Sequence, residues 1–141
     1  MPTHSVRFFD TQFQRQINTG EIDLNPCELN PFERLALPYL SGDVLDLGCG
    51  LGNLAVAAAR AGCRVTALDG SPTGVARLRE TAGCLGLAIE AHETDLACYC
   101  IDRSYDSIVA IGLLMFFPRL QAETLLADIV ARVKPGGVVA L

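Results

Sequence analysis

The sequence has no long hydrophobic run and contains no tryptophan, two methionines and two histidines in 141 residues. Its longest apolar stretch is the ten-residue segment 108–117, whereas a helix that crosses a membrane needs about 18 to 20 apolar residues. The first sixteen residues also lack the continuous apolar segment of a secretory signal. We therefore expect a cytoplasmic protein with no membrane partner.

Positive charge is scarce too. Eleven Lys and Arg residues stand against sixteen Asp and Glu, which gives a formal net charge of −5 at pH 7. Proteins that bind nucleic acid neutralise its phosphates with a basic stripe, and no such stripe is visible in the sequence. Half of the residues are hydrophobic, which excludes a disordered chain, and the length suits one domain. We expect a small-molecule partner rather than nucleic acid.

The cysteines indicate neither a disulfide framework nor a metal site. They are Cys27, Cys49, Cys63, Cys84, Cys98 and Cys100. Cys98 and Cys100 are spaced C-x-C, which is not a common zinc spacing, and no second pair of Cys or His lies nearby. Without a secretory segment, we expect reduced thiols and no bound metal.

The first forty residues differ from the rest because they are richer in polar and aromatic side chains. We predict a helical arm or lid over 1–40, followed by the main domain over 41–141. The arm is expected to hold a helix from Val6 to Ile17 and a second helix that starts at Pro31 behind an Asn30 cap.

Two readings of the arm stay open. It is either a mobile lid that closes over the site or a helix packed permanently on the domain. The residues that would carry the lid are Phe8, Phe9, Phe13 and Arg15.

From residue 43 onward, strand patterns alternate with helix patterns, which predicts an α/β fold with a parallel sheet. The predicted strands are Val44–Leu47, Arg64–Leu68, Ala88–Glu93, Ser107–Ile111 and Val138–Leu141. The predicted helices are Leu54–Ala61, Pro72–Ala82 behind a Ser71 cap, and a clearly amphipathic one over 122–133. In that last helix, Val130 is predicted on the buried face and Asp128 on the outer face.

A glycine-rich turn joins the first strand to its helix. Gly48, Gly50 and Gly52 are spaced G-x-G-x-G, and Asn53 takes the third glycine position of the dinucleotide fingerprint. Asp46, two residues before the first glycine, would repel a pyrophosphate but suits an ammonium group. This pattern disfavours a nicotinamide oxidoreductase. An ordinary strand–helix turn with Asp46 as a local cap is the alternative.

Two more acids follow neighbouring strands. Asp69 ends the second strand, where an acid can accept hydrogen bonds from both hydroxyls of a ribose. It could instead be an acid at a helix N-terminus, favoured by the macrodipole. Asp95 follows the third strand. Together with Asp46, these carboxylates predict a site for a cationic ligand that carries a ribose.

Five motifs stand in register along residues 31–141. They are VLDLGCGLGNLA, VTALDGSP, ETDL, YDSIVAIGLLMFF and ARVKPGGVVAL. In that order they resemble the motifs of class I S-adenosylmethionine-dependent methyltransferases, and among these most of all the tellurite-resistance methyltransferases and their small-molecule relatives. The resemblance implies a Rossmann-like, doubly wound parallel sheet with strand order 3-2-1-4-5. It also implies S-adenosyl-L-methionine as cofactor and S-adenosyl-L-homocysteine as product.

The resemblance further implies which residues hold that cofactor: Asp46, Gly48, Cys49, Gly50, Gly52, Asp69, Gly70, Asp95, Leu96, Ile111 and Gly112. In this assignment, Asp46 lies near the amino group of the methionine moiety and Asp69 holds the ribose hydroxyls. Asp95 accepts from the adenine amino group with the Leu96 backbone beside the ring, while Ile111 and its neighbour border the methyl donor and the acceptor.

The implied function is transfer of a methyl group to a small molecule, with tellurite or another soft nucleophile as acceptor. The alternative is an inactive module that binds the cofactor and has a regulatory or structural role. His4, His92 and Tyr105 are candidate bases, and we assign the role of catalytic residue to none of them.

One departure from the family concerns the last strands. Members continue past KPGG with a further helix and two more strands, which this sequence lacks. Either the given sequence is a piece of a longer protein, or another chain or segment covers the apolar edge formed by Val138–Leu141. For a naturally short chain, we expect a homodimer that covers this edge.

Overall fold

A five-stranded, fully parallel sheet organises the chain in the computed structural model, which describes residues 4–18 and 28–141. The strands are β1 (Asp43–Leu47), β2 (Arg64–Asp69), β3 (Ile89–Glu93), β4 (Tyr105–Val109) and β5 (Val133–Ala140). The α-helices are α1 (His4–Asn18), α2 (Pro31–Ala36), α3 (Asn53–Arg60), α4 (Pro72–Leu85) and α5 (Arg119–Arg132). Short 3₁₀ helices cover Leu37–Tyr39 and Leu114–Phe116. The order β3-β2-β1-β4-β5 confirms the predicted fold.

The central strand β1 is buried on both faces because its side chains alternate between two apolar clusters. Val44 belongs to the cluster that includes residues of α3 and α4. Leu45 and Leu47 belong to the cluster on the opposite face, which includes Ile129 of α5. The sheet is therefore enclosed between helices, and its strand ends are left to form a site.

The two predicted helix caps are present. Asn30 Oδ1 accepts a hydrogen bond from the backbone N–H of Glu33 at 2.9 Å, and Glu33 accepts one from the backbone N–H of Asn30 at 3.1 Å. This reciprocal pair is a capping box. Ser71 caps α4 by accepting from the backbone N–H of Gly74 at 3.0 Å. Leu29, just before this cap, and Leu40, just after the 3₁₀ helix that follows α2, are buried in the cluster around Val44.

Two strand predictions were wrong in their limits. β4 starts at Tyr105 and ends at Val109, two residues earlier than predicted. β5 starts at Val133, so that the segment 134–137 lies inside the strand instead of preceding it. The segment forms an irregularity in the ladder, since Tyr105 pairs with Val133 but Ser107 pairs with Val138. Its proline and glycines end the helical pattern without ending the strand.

The outer helix α5 buries a narrower stripe than its apolar pattern predicted. Leu125 and Ile129 are buried, one turn apart. Val130, predicted on the buried face, is 62% exposed because it lies on the neighbouring row. Asp128, predicted on the outer face, is half-buried and accepts a hydrogen bond from the backbone N–H of Ile101 at 2.7 Å.

The described part of the chain holds no helix both long enough and apolar enough to cross a bilayer. The five cysteines within it are free thiols, while Cys27 and the rest of the segment 19–27 of the predicted arm lie outside the described residues.

A cleft at the carboxyl edge of the sheet

A cleft of about 210 Å³ opens where the parallel strands end, which is the edge that binds ligands in open α/β sheets. The predicted residues that line it are Gly48, Gly50, Asp69, Gly70, Asp95, Leu96, Ile111 and Gly112. The sequence thus predicted one wall of the cleft, built from the strand ends and the turns that follow them.

The glycine turn brings bare backbone to the cleft. Gly48 and Gly50 have φ values of 73° and 57°, which L side chains rarely adopt. A Cβ added to Gly48 would lie 3.0 Å from Leu113 Cδ1, and one added to Gly50 would lie 3.2 Å from Phe13 Cζ. The turn therefore leaves room for close approach at Gly48 and Gly50 only because these two residues lack side chains.

Asp69 holds that turn in place. Its Oδ2 accepts a hydrogen bond from the backbone N–H of Gly50 at 2.8 Å, and its Oδ1 accepts one from the backbone N–H of Ser71 at 2.8 Å. Burial raises the pKa of Asp69, and these backbone donors oppose the rise. Each carboxylate oxygen keeps a second acceptor position, so Asp69 remains able to accept hydroxyl donors from the cleft.

Asp46 lies behind the turn and does not line the cleft. It is 5% exposed, and burial, with the charges of Glu33 and Asp69 added, raises its pKa to about 7. Cys49, which the sequence also placed at the cofactor, is likewise absent from the cleft lining, and burial raises the pKa of its thiol well above the ordinary value.

The loop after β3 carries Asp95 at the cleft rim. Its Oδ1 accepts a hydrogen bond from the backbone N–H of Ala97 at 3.0 Å, and its backbone carbonyl accepts one from the N–H of Cys98 at 3.2 Å. These local bonds fix the loop while leaving the exposed carboxylate in contact with the cleft.

Helix α1 forms the second wall through contacts that the sequence did not predict. Asp10 Oδ1 accepts hydrogen bonds from Ser71 Oγ at 2.6 Å and from the backbone N–H of Thr73 at 3.0 Å. Gln14 Nε2 donates to Thr73 Oγ1 at 3.2 Å. A Cβ added to Gly70 would lie 2.8 Å from Val6 Cγ2. In this structure, α1 is therefore docked across the start of α4.

An aromatic wall completes the cleft, and we use that name for Phe9, Phe13, Phe116 and Phe117. The rings of Phe9 and Phe116 meet edge to face with centroids 5.2 Å apart, and the Phe9 and Phe13 centroids are 6.1 Å apart. Phe9 and Phe13 were named from the sequence as arm residues. Phe116 and Phe117 were missed because their apolar run reads equally well as core.

The candidate bases do not line the cleft. His4 is exposed at the start of α1, and the side chain of His92 is 55% exposed, with Nε2 3.9 Å from Glu90 Oε2. Tyr105 is buried at the opposite, amino end of the sheet, where the Arg103 guanidinium lies 4.1 Å from its ring centroid. Hence none of them is placed to take a proton from a ligand in the cleft.

Residues 44–137 match a family described as the methyltransferase domain. The chain is 31% identical over 121 residues to ubiquinone biosynthesis O-methyltransferase from Actinobacillus pleuropneumoniae, covering 82% of this chain and 51% of that protein. The chain spans between about a third and a half of the length of the first curated relatives it matches.

Solved structures agree. The chain superposes on TehB from Haemophilus influenzae with a TM-score of 0.71 at 28% identity, covering 77% of this chain and 38% of the other. It superposes on a complex of DhpI with SAM and HEP with a TM-score of 0.70 at 26% identity, covering 99% of this chain and 66% of the other.

Proposed function

We propose methyl transfer as the function of this chain because it belongs to the class I S-adenosylmethionine-dependent methyltransferases. Its cofactor is S-adenosyl-L-methionine, and the product of that cofactor is S-adenosyl-L-homocysteine. The observation that carries the proposal is the pair of hydrogen bonds by which Asp69 fixes Gly50 and Ser71 at the mouth of the cleft.

The charges around the cleft suit that cofactor. S-adenosylmethionine is positive at its sulfonium and at its ammonium group, and the acids Asp46, Asp69 and Asp95 lie at or just behind the cleft. The bare backbone of Gly48 and Gly50 provides a cradle that a Cβ would fill. The residues present therefore fit the group.

We assign the cofactor contacts as the sequence predicted them. Asp69 accepts the ribose hydroxyls, and Asp95 accepts from the adenine amino group beside the Leu96 backbone. Asp46 stabilises the ammonium group through the glycine turn, since it is buried behind that turn rather than open to the cleft. Ile111 and Gly112 border the transferred methyl group.

When bound, the cofactor supplies a methyl group already activated by its sulfonium, so the protein contributes positioning and exclusion of water. The aromatic wall and α1 exclude water on one side, and the glycine turn aligns the donor on the other. We propose that the first forty residues act as a lid, because α1 closes the cleft through Asp10 and Phe13.

The acceptor is proposed to be a small molecule with a soft nucleophile, and tellurite is one candidate. The superposition on TehB supports a small-molecule acceptor, as does the similarity to a relative named for O-methylation in ubiquinone biosynthesis. The net charge of −5 supports an acceptor other than nucleic acid. Salt-sensitive, micromolar binding of RNA or DNA in a gel-shift assay would contradict that part.

The alternative is a module that binds the cofactor without catalysing transfer. Calorimetric titration with S-adenosylhomocysteine and with NADH tests the cofactor assignment, and we expect binding of the first alone. A methylation assay that detects S-adenosylhomocysteine release over a panel of acceptors then separates an enzyme from an inactive module.

We further propose a homodimer across β5. On its outer side lies an apolar surface that includes Phe32, Leu35 and Tyr39, each about two-thirds exposed, and Val138 and Leu141. A stable interface there should bury more than about 1,000 Å². Sedimentation of a monomer across micromolar concentrations would overturn it. The free thiols of the described residues support a cytoplasmic location, which cell fractionation would test.

A further inference from the structure

The charged groups that line the cleft are all of one sign. Asp69 and Asp95 line it, and no Lys, Arg or His of the described residues does. An anionic acceptor would thus bind beside two carboxylates whose assigned cofactor contacts are neutral hydroxyl and amino groups, and the positive charge near it would come from the sulfonium and ammonium groups of the cofactor. Like charges at short range oppose binding, and they do so more strongly in a partly buried site.

Among the described residues that line the cleft, none is placed to remove a proton. The candidate bases lie outside it, and both oxygens of Asp69 already accept backbone hydrogen bonds. Oδ1 of Asp95 accepts from the N–H of Ala97, and we assign this carboxylate to the adenine amino group of the cofactor. An acceptor that must lose a proton before or during transfer would find no committed base there.

The remaining wall is apolar and aromatic. Phe9 and Phe116 meet edge to face at 5.2 Å, and they come from α1 and from the turn that follows β4. Aromatic faces favour flat apolar molecules and attract cations. The wall therefore fits an apolar acceptor that becomes positively charged as it reacts.

On the basis of the proposed function, we propose that the acceptor is an uncharged, apolar molecule with a lone pair on sulfur or nitrogen and no proton to lose, such as an aromatic thioether or an aromatic tertiary nitrogen. The lone pair forms a bond to the methyl carbon while the carbon–sulfur bond of the cofactor breaks and its electron pair returns to sulfur. The positive charge passes from the cofactor to the methylated product, and no proton is released.

The charge balance of this step matches the cleft. The sulfonium becomes neutral as its carbon–sulfur bond breaks, and the product gains the positive charge as its bond to the methyl carbon forms, so the reacting pair beside the aromatic wall carries one positive charge throughout. Among the soft nucleophiles proposed above, the cleft therefore favours an uncharged one over tellurite, which is an oxyanion.

The test uses benzyl methyl sulfide and 4-phenylpyridine as uncharged probes. Biphenyl-4-carboxylate, an anion of similar shape, and tellurite serve as charged comparisons. Titration with S-adenosylhomocysteine comes first. Binding of each probe to the protein saturated with S-adenosylhomocysteine is then measured by ligand-observed NMR, and formation of methylsulfonium or N-methylpyridinium product is followed by mass spectrometry. We expect the uncharged probes to bind at least tenfold more tightly than the carboxylate and to be methylated.

The variant Phe116→Ala should raise KM for the uncharged probes about tenfold while S-adenosylhomocysteine affinity changes less than threefold. Phe116→Leu, which keeps most of the volume, separates loss of the ring from a packing defect. Val130→Ala removes an exposed apolar side chain on α5, away from the cleft, and is the control.

The outcomes are distinguishable. If S-adenosylhomocysteine does not bind, the proposed function itself fails and this inference fails with it. If S-adenosylhomocysteine binds but the carboxylate or tellurite is preferred, or no uncharged probe binds, the proposed acceptor class is overturned and the cofactor assignment stands.

Discussion

The hydroxyl of Ser71 donates a 2.6 Å hydrogen bond to the carboxylate of Asp10, which joins α1 to the start of α4. The backbone N–H of Ser71 donates to Asp69 at 2.8 Å. One residue thus connects the helix that covers the cleft with the acid assigned to the ribose. We therefore expect a loss of the contact between α1 and Ser71 to affect the cofactor site through the hydrogen bond of Ser71 to Asp69.

Replacing Asp10 should loosen the contact of α1 with the start of α4 and so open the cleft. We expect Asp10→Ala to weaken S-adenosylhomocysteine binding about tenfold, mainly through faster dissociation, because charged hydrogen bonds contribute about 1.5–3 kcal/mol and only part of that reaches the ligand. Stopped-flow exchange measures the rate. Thr11→Ala is the control, since Thr11 bonds only within α1, to the carbonyl of Arg7. Equal dissociation rates in the two variants would contradict the lid.

Asp69 should matter more than any other single acid of the cleft. We expect Asp69→Ala to weaken S-adenosylhomocysteine binding by about 2–3 kcal/mol, because it loses the proposed hydroxyl contacts and frees Gly50 and Ser71. Calorimetry gives the dissociation constant, and circular dichroism checks folding. A folded variant with an unchanged constant would refute the ribose assignment.

The buried carboxylate of Asp46 should lower the free energy of unfolding at neutral pH and above. Burial raises the pKa of Asp46 from its ordinary 3.8 to about 7 in the folded state, so unfolding releases a proton and the contribution of Asp46 to stability falls as pH rises from about 4 to about 7. The difference reaches about 4 kcal/mol at most. We therefore expect Asp46→Asn to be more stable than wild type at pH 8 and equal at pH 4 in urea unfolding. Glu90→Gln, which alters an 81% exposed side chain, should show no such trend.

The same group should make cofactor binding depend on pH. A ligand ammonium favours the ionised form of Asp46, and the amino group of the ligand stays protonated below pH 7, since even peptide α-amino groups lose their proton only at about pH 7.7–8.0. Between pH 5.5 and 7, we therefore expect S-adenosylhomocysteine affinity to rise about tenfold in the wild type. The slope should vanish in Asp46→Asn, and a slope that persists there would assign the pH dependence to another group.

Replacement by alanine should have opposite effects on stability at two glycines of α4. A Cβ added to Gly74 would lie 2.6 Å from the carbonyl oxygen of Gly50, whereas one added to Gly83 meets nothing within 4 Å. We expect Gly74→Ala to lose about 1–3 kcal/mol of stability and Gly83→Ala to gain about 0.5–1 kcal/mol, as helix propensity dictates. Thermal unfolding of both variants checks the contrast, and a loss of the same size in both would contradict it.

The sequence predicted the sheet, its order and the strand-end half of the cleft because these depend on local signals. Alternating patterns place the strands, and glycines with an acid mark the first turn. Asp69 and Asp95 were identifiable because the carboxyl ends of parallel strands meet at one edge.

The other half of the cleft depends on contacts that local patterns do not encode. Asp10 and Ser71 are 61 positions apart in the chain, and the sequence near neither residue indicates that they form a hydrogen bond. The limits of β5 were missed because a Lys-Pro-Gly-Gly segment usually ends an element, whereas here it bulges within one. The width of the buried face of α5 was overestimated because the apolar pattern of a helix does not determine how much of that face the sheet covers.

The close contact between Gly74 and the carbonyl of Gly50 ties together two positions that are 24 residues apart. During evolution, the glycine at 74 could be replaced only if the turn around residue 50 had already shifted. A shifted turn would present a different backbone to the methionine part of the cofactor, which we assign to this turn. Sequence drift at the start of α4 is therefore constrained by the shape of a loop in another part of the chain. The two sites should diverge together or not at all.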